Sequence, residues 1–217
     1  MFTMILRTHW AWTRLVVAGV SLLAFLMPAF AWRMAGGNSS AFGAVQLMDG
    51  LSVLGPLLAF LALTGSFVLA VYPWTLDAET NHVYPLTLPI TWTRYVGMRY
   101  VAGALTLIVP AAALYLGSRF VVSLVVLPPL LQAYPGSLAI RFLLAMLVAY
   151  SASFSLQYLA GRRATLVALV SLLALLLVAT ILEVSGLSQI ANRLGTLLFD
   201  PRGPFGVFTD TWVLIDV

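Results

Sequence analysis

LSVLGPLLAFLALTGSFVLAVY, residues 51–72, decides the fold. It holds no charged residue over a length that, as a helix rising about 1.5 Å per residue, crosses the roughly 30 Å hydrocarbon layer of a bilayer. The rest of the chain agrees with it. Of 217 residues, 62% are hydrophobic and 8% charged, and the mean hydropathy is +1.02. A soluble domain carries about a quarter charged residues. Apolar runs of comparable length stand at 15–32, 101–117, 138–160 and 164–187. We therefore expect an all-α, polytopic membrane protein, one transmembrane domain over residues 1–217 with five secure spans.

The flanks of these spans are less regular. Arg7 and Arg14 ahead of an apolar run, followed by Pro28-Ala29-Phe30-Ala31, have the look of a secretory signal with a small-residue cleavage site. We expect this segment to be retained as the first span. Residues 1–14 alternate apolar positions with Arg7, His9, Trp10, Trp12 and Arg14. Tryptophan settles at headgroup level and arginine snorkels to water, so an interfacial helix is expected there. The run 121–127 is apolar but too short to cross, and Pro128-Pro129 ends it, which fits a re-entrant or surface piece. Residues 188–217 mix turn formers with an apolar end and leave open either an extracytoplasmic or re-entrant segment or the start of a sixth span.

Pro56 and Pro110 lie inside spans, where each withholds a backbone donor. They are candidate flexible points along a pathway. Glu183 is the deepest acid and joins them as a candidate pathway residue, with an interfacial ion pair as its plainer role. His9 and His82 are expected outside the spans, which leaves no acid–histidine cluster at membrane depth and speaks against an intramembrane enzyme. With no cysteine, thiolate catalysis and cysteine metal sites are excluded, and no metal-ligand motif is present. The eleven arginines against seven acids give a net charge of +4, which in this setting marks anionic membrane lipid rather than nucleic acid. Their distribution scarcely orients the chain; Arg162-Arg163, in an expected short loop, favours that side as cytoplasmic and with it a cytoplasmic N-terminus.

Between the second and third spans the sequence turns polar: LDAETNHVYPLTLPITWTRYVGMRY, residues 76–100. Trp74 and Trp92 bracket it as interface anchors, Thr75 or Asp77 can cap a short helix, and Pro85 can end it. Such a helix would present Asp77, Glu79 and His82 to water. This organisation resembles the permease subunit of an ABC-2-type ATP-binding-cassette exporter. In that family a cytoplasmic loop after the second span carries an acidic patch, a leucine-rich helix and an LP-[VI]-[ST] turn. Here the matching residues are Asp77 and Glu79, then Leu86 to Thr91 with Leu88-Pro89-Ile90-Thr91 at the turn, then Arg94-Tyr95-Val96 and Arg99. Thr80-Asn81 stands where the family has Gly-Thr, and Trp92 where an arginine often follows.

The resemblance implies that the segment is a cytoplasmic coupling helix. Asp77, Glu79, Thr80, Asn81, His82, Pro85, Leu88, Pro89 and Arg94 would be its contacts on a separate ATPase. The chain has no lysine and so no G-x-x-x-x-G-K-[ST] loop, which puts ATP and magnesium on that partner. The resemblance further implies two ATPase copies and a second permease, identical or homologous. It also implies a bacterial inner-membrane location and export of an amphipathic or hydrophobic substrate, with no catalytic residue on this chain. The alternative reading is a structural or accessory subunit of a membrane complex.

Overall fold

The first helix follows from a stripe. Ile5, His9, Thr13, Val17, Val20, Ala24, Pro28 and Ala31 recur every three or four residues and all are buried, the spacing that lines one face of an α-helix. The opposite face carries Leu15, Leu22, Leu26 and Phe30, exposed side chains suited to lipid. In a computed structural model, which describes residues 2–34, 41–79, 91–184, 206–208 and 212–216, these positions form one helix, α1 (Phe2–Met34). Residues 2–14, expected as a separate surface helix, run into the first span without a break. The polar residues that suggested a surface segment, His9 and Thr13, instead lie on the buried stripe.

Helix α2 (Ala41–Glu79) takes in the second span and continues past it. No short helix begins at Thr75 or Asp77: the Thr75 hydroxyl donates back to the Tyr72 carbonyl (2.7 Å) within the same helix. The third span is two helices in line, α3 (Trp92–Thr106) and α4 (Ile108–Leu124). They meet at Leu107, whose N–H turns back to the Ala104 carbonyl (3.2 Å). Pro110 explains the seam, because it cannot donate to the carbonyl of Thr106 four residues earlier. The run 121–127 is no re-entrant piece. Val121 to Leu124 finish α4, and Val125 is extended at its end.

Strand β1 (Gln132–Ala133) precedes α5 (Pro135–Val184), with proline at the first helical position, where its missing N–H costs nothing. The turn expected at Gly161-Arg162-Arg163 is absent, so the fourth and fifth expected spans are one rod of 50 residues. Arginine is a good helix former and a single glycine costs only about 1 kcal/mol, too little to stop a long helix. Among the described residues, four helical stretches are long and apolar enough to cross a membrane: Phe2–Arg33, Leu57–Asp77, Trp92–Leu124 and Pro135–Leu159.

Their directions follow from who meets whom. Ile5 clusters with Tyr95 and Ala102, and a side chain on Gly117 would strike the backbone of Phe25. Numbers rise together, so α1 runs parallel to α3 and α4. Gly65 faces Val20 and Met146, while Trp74 meets Phe154 (5.7 Å between ring centroids), so α2 runs with α5. At one end of this arrangement the tail closes over the helices. Strand β2 (Ile215–Asp216) pairs antiparallel with β1, and the Tyr134 N–H donates to the Leu214 carbonyl (2.7 Å). Trp212 lies edge-on to Phe142 beneath the Arg141 guanidinium (5.7 Å), whose Nε reaches the Val207 carbonyl (3.4 Å). The described part of the tail, 206–208 and 212–216, is thus packed as a cap on this end. The core between the ends is apolar, built on Val17, Leu58, Leu69, Leu114, Phe142 and Met146.

Candidate functional site

The other end is charged. Asp77 sits on the last turn of α2, and Tyr95 and Arg99 lie one turn apart on one face of α3. The fold packs these two helix ends against α1 and buries all three side chains. Asp77 Oδ2 forms an ion pair with Arg99 Nη1 and accepts the Tyr95 hydroxyl (3.1 Å). Arg99 Nη1 also donates to the Tyr95 oxygen (2.8 Å), so one phenol donates a hydrogen bond to the carboxylate while accepting one from the guanidinium. Among the described residues this is the only ion pair.

Aromatic rings wall the guanidinium. Its carbon stands 4.5 Å from the Trp74 ring centroid, 5.8 Å from Trp12 and 5.7 Å from Tyr95. A cation over an aromatic face is attracted by the ring quadrupole, most strongly once water is excluded. Trp74 in turn touches Trp92 (6.2 Å) and Phe154, so the two tryptophans expected as separate anchors meet, one buried and one half-exposed. His9 enters the same neighbourhood from α1, close enough to feel the Arg99 charge. It is 3% exposed, and neither ring nitrogen has a hydrogen-bond partner among the described residues. Taking a carboxylate and a guanidinium out of water costs several kcal/mol per ion, which geometry of this kind has to offset. Ionisable groups at such depth face the interior and mark function or assembly.

A neutral link ties α3 to α5 nearby. The Ser151 hydroxyl donates to the Leu147 carbonyl (2.7 Å), which occupies its one proton, so Tyr100 must be the donor in the 2.7 Å contact between their oxygens. Tyr100 also packs on Tyr150 (5.6 Å) and Phe154 (5.4 Å). Tyr100→Phe should therefore keep the ring packing and cost only about 0.6 kcal/mol, the usual worth of an interhelical side-chain bond in a membrane. Thermal unfolding in detergent would check it, and a loss of several kcal/mol would show that the hydroxyl does more.

Of the residues expected to meet an ATPase, Asp77 faces inward, a correction to the water-facing acid expected from the sequence. Its burial follows from α2 running on through Asp77 to Glu79, past the end at Tyr72 expected for the span. Arg94 is exposed on the first turn of α3, and Glu79 ends α2. Thr80, Asn81, His82, Pro85, Leu88 and Pro89 lie outside the described residues. Of the candidate pathway residues, Pro110 is buried beside the seam at Leu107, Pro56 lies within α2, and Glu183 lies on the last turn of α5. His9, Tyr95 and Arg99 carry the site; the sequence reading puts His9 in a surface segment and Tyr95 and Arg99 in the lead into the third span, and pairs none of them with Asp77. The signals were present: His9-x3-Thr13-x3-Val17 is a helical stripe, and Tyr95-x3-Arg99 faces one way. Among the described residues no group of three acids or histidines could hold a metal ion. No protein-family model, curated protein or solved structure matches the chain.

Proposed function

We propose that this chain is the transmembrane permease subunit of an ATP-driven exporter of the ABC-2 type. What supports the reading is the junction around Arg99. Both ends of the polar segment enter a rigid, buried knot that joins α2 to α3 and leans on α1 and α5. A push on the segment would reach those four helices together, which is what coupling to a motor requires. Asp77 takes a revised role: it fastens the lever and does not touch the partner. Glu79, Thr80, Asn81, His82, Pro85, Leu88, Pro89 and Arg94 form the face toward the ATPase, which exists as two copies and carries ATP and magnesium. A second permease, identical or related, completes the passage, through which an amphipathic or hydrophobic molecule leaves the cell. The segment lies with the N-terminus on the cytoplasmic side of a bacterial inner membrane.

The chain's lack of cysteine supplies the test. Asn81→Cys introduces a single thiol in the segment. In membranes of the native host it should cross-link to an ATPase subunit, and a membrane-impermeant thiol reagent should reach it only from the cytoplasmic side. Labelling from outside, or repeated capture of non-ATPase subunits alone, would favour the accessory-subunit reading instead.

A further inference from the structure

An open groove of about 380 Å³ runs between α1 and the α3–α4 seam, lined by Leu6, Arg7, Trp10, Leu105, Thr106 and Val109 among others. Its chemistry is graded. Because α1 and α3 run the same way, depth can be read along both. Gly117 stands level with Phe25, which puts Leu105 level with Thr13 of α1, about 9 Å deeper than Arg7. The deep wall is aliphatic: Leu105 and Val109 are exposed, and the Thr106 hydroxyl is already given to the Gly103 carbonyl (2.7 Å). The shallow wall carries the groove's one charge, on Arg7, which is exposed and has no carboxylate partner among the described residues. Trp10, 43% exposed, stands one turn further along α1, and its amphipathic ring suits the level where headgroup meets acyl chain.

A cation at the mouth and an aliphatic floor call for a ligand with an anionic head and a long apolar body. We infer that the groove binds one anionic phospholipid, its phosphate against Arg7 and an acyl chain over Leu6, Leu105 and Val109. The fit is one of charge and depth together: a free phosphate would leave the aliphatic floor unfilled, and a zwitterionic lipid would gain less from Arg7. A basic residue at the membrane surface favours anionic lipid by about fivefold.

The test reconstitutes the full chain in bilayers of phosphatidylcholine with phosphatidylglycerol, then counts the lipid retained after release by native mass spectrometry. One phosphatidylglycerol should remain in preference to phosphatidylcholine. Arg7→Gln should lower its retention about fivefold without touching phosphatidylcholine, and Arg7→Lys should keep most of it. Val109→Trp, which fills an exposed part of the slot, should reduce retention of both lipids with an unchanged melting temperature. Equal retention of the two lipids by the unsubstituted chain, or no change in Arg7→Gln, would overturn the assignment. So would a lipid-free dimer whose contact is lost in Val109→Trp, which would give the groove to a second copy.

Discussion

Arg99→Met will destabilise the protein by about 3–5 kcal/mol, the cost of leaving a buried charge without its partner. The substitution keeps an unbranched apolar stem while removing the guanidinium, so Asp77 loses its ion pair with Arg99 at a buried site. The rings of Trp74, Trp12 and Tyr95 lose their cation as well. The informative comparison is a variant that removes every polar member at once, Asp77→Leu with Tyr95→Phe and Arg99→Met. A buried pair replaced by apolar groups of similar volume is often neutral or stabilising, so this triple variant should recover most of the loss. Midpoints of thermal unfolding in detergent, read by the fraction still eluting as a monodisperse peak, would report both. If Arg99→Met accumulates too poorly to measure, the triple variant still decides the matter. A midpoint for it far below that of the unsubstituted chain would show that the centre holds the fold rather than serving motion. An unchanged midpoint for Arg99→Met would remove the centre from the account altogether.

Gly117→Ala should cost about 1–3 kcal/mol, an overpacking penalty at the upper end of what a single methyl causes. A Cβ at Gly117 would meet the backbone of Phe25, and backbone cannot rotate aside as a side chain can. Helices α1 and α4 would have to separate, and with no hydrophobic force between helices in lipid the contact depends on close van der Waals approach. Gly103 differs in kind: its neighbour is the Tyr150 ring, so Gly103→Ala should be partly rescued by Tyr150→Leu. Gly19→Ala and Gly97→Ala are the controls. Nothing lies within 4 Å of a Cβ at either position, and both sit inside helices, so each should gain about 0.5–1 kcal/mol from reduced chain entropy. The same unfolding assay would separate the two groups, and Gly117→Ala as stable as Gly97→Ala would contradict the close approach.

Hydropathy located four stretches, among the described residues, long and apolar enough to cross, because it needs only local composition; the fifth expected span, 164–187, is not among them. It said nothing sure about where helices stop. The alternation of Arg7, His9 and Arg14 with apolar residues looks interfacial in one dimension, yet on a helix it leaves His9 on the core stripe and Arg7 outside. Gly161-Arg162-Arg163 looks like a loop by charge, although all that backbone propensity offers against a helix there is one glycine. The β1–β2 pairing was invisible because two residues per strand carry no period to read. Asp77 and Arg99 were both noticed, as loop acid and as positive charge. Their partnership across 22 positions is a tertiary fact, set by where α2 ends and α3 begins.

The cap of Trp212 at one rim and the ring of tryptophans at the other work like the two hoops of a cask. Between them, among the described residues, the staves meet mainly through shape, with the Tyr100–Ser151 hydrogen bond as the directional contact between two of them. Any widening of the interior would therefore be a bowing at the waist around Leu107, while both rims keep their girth.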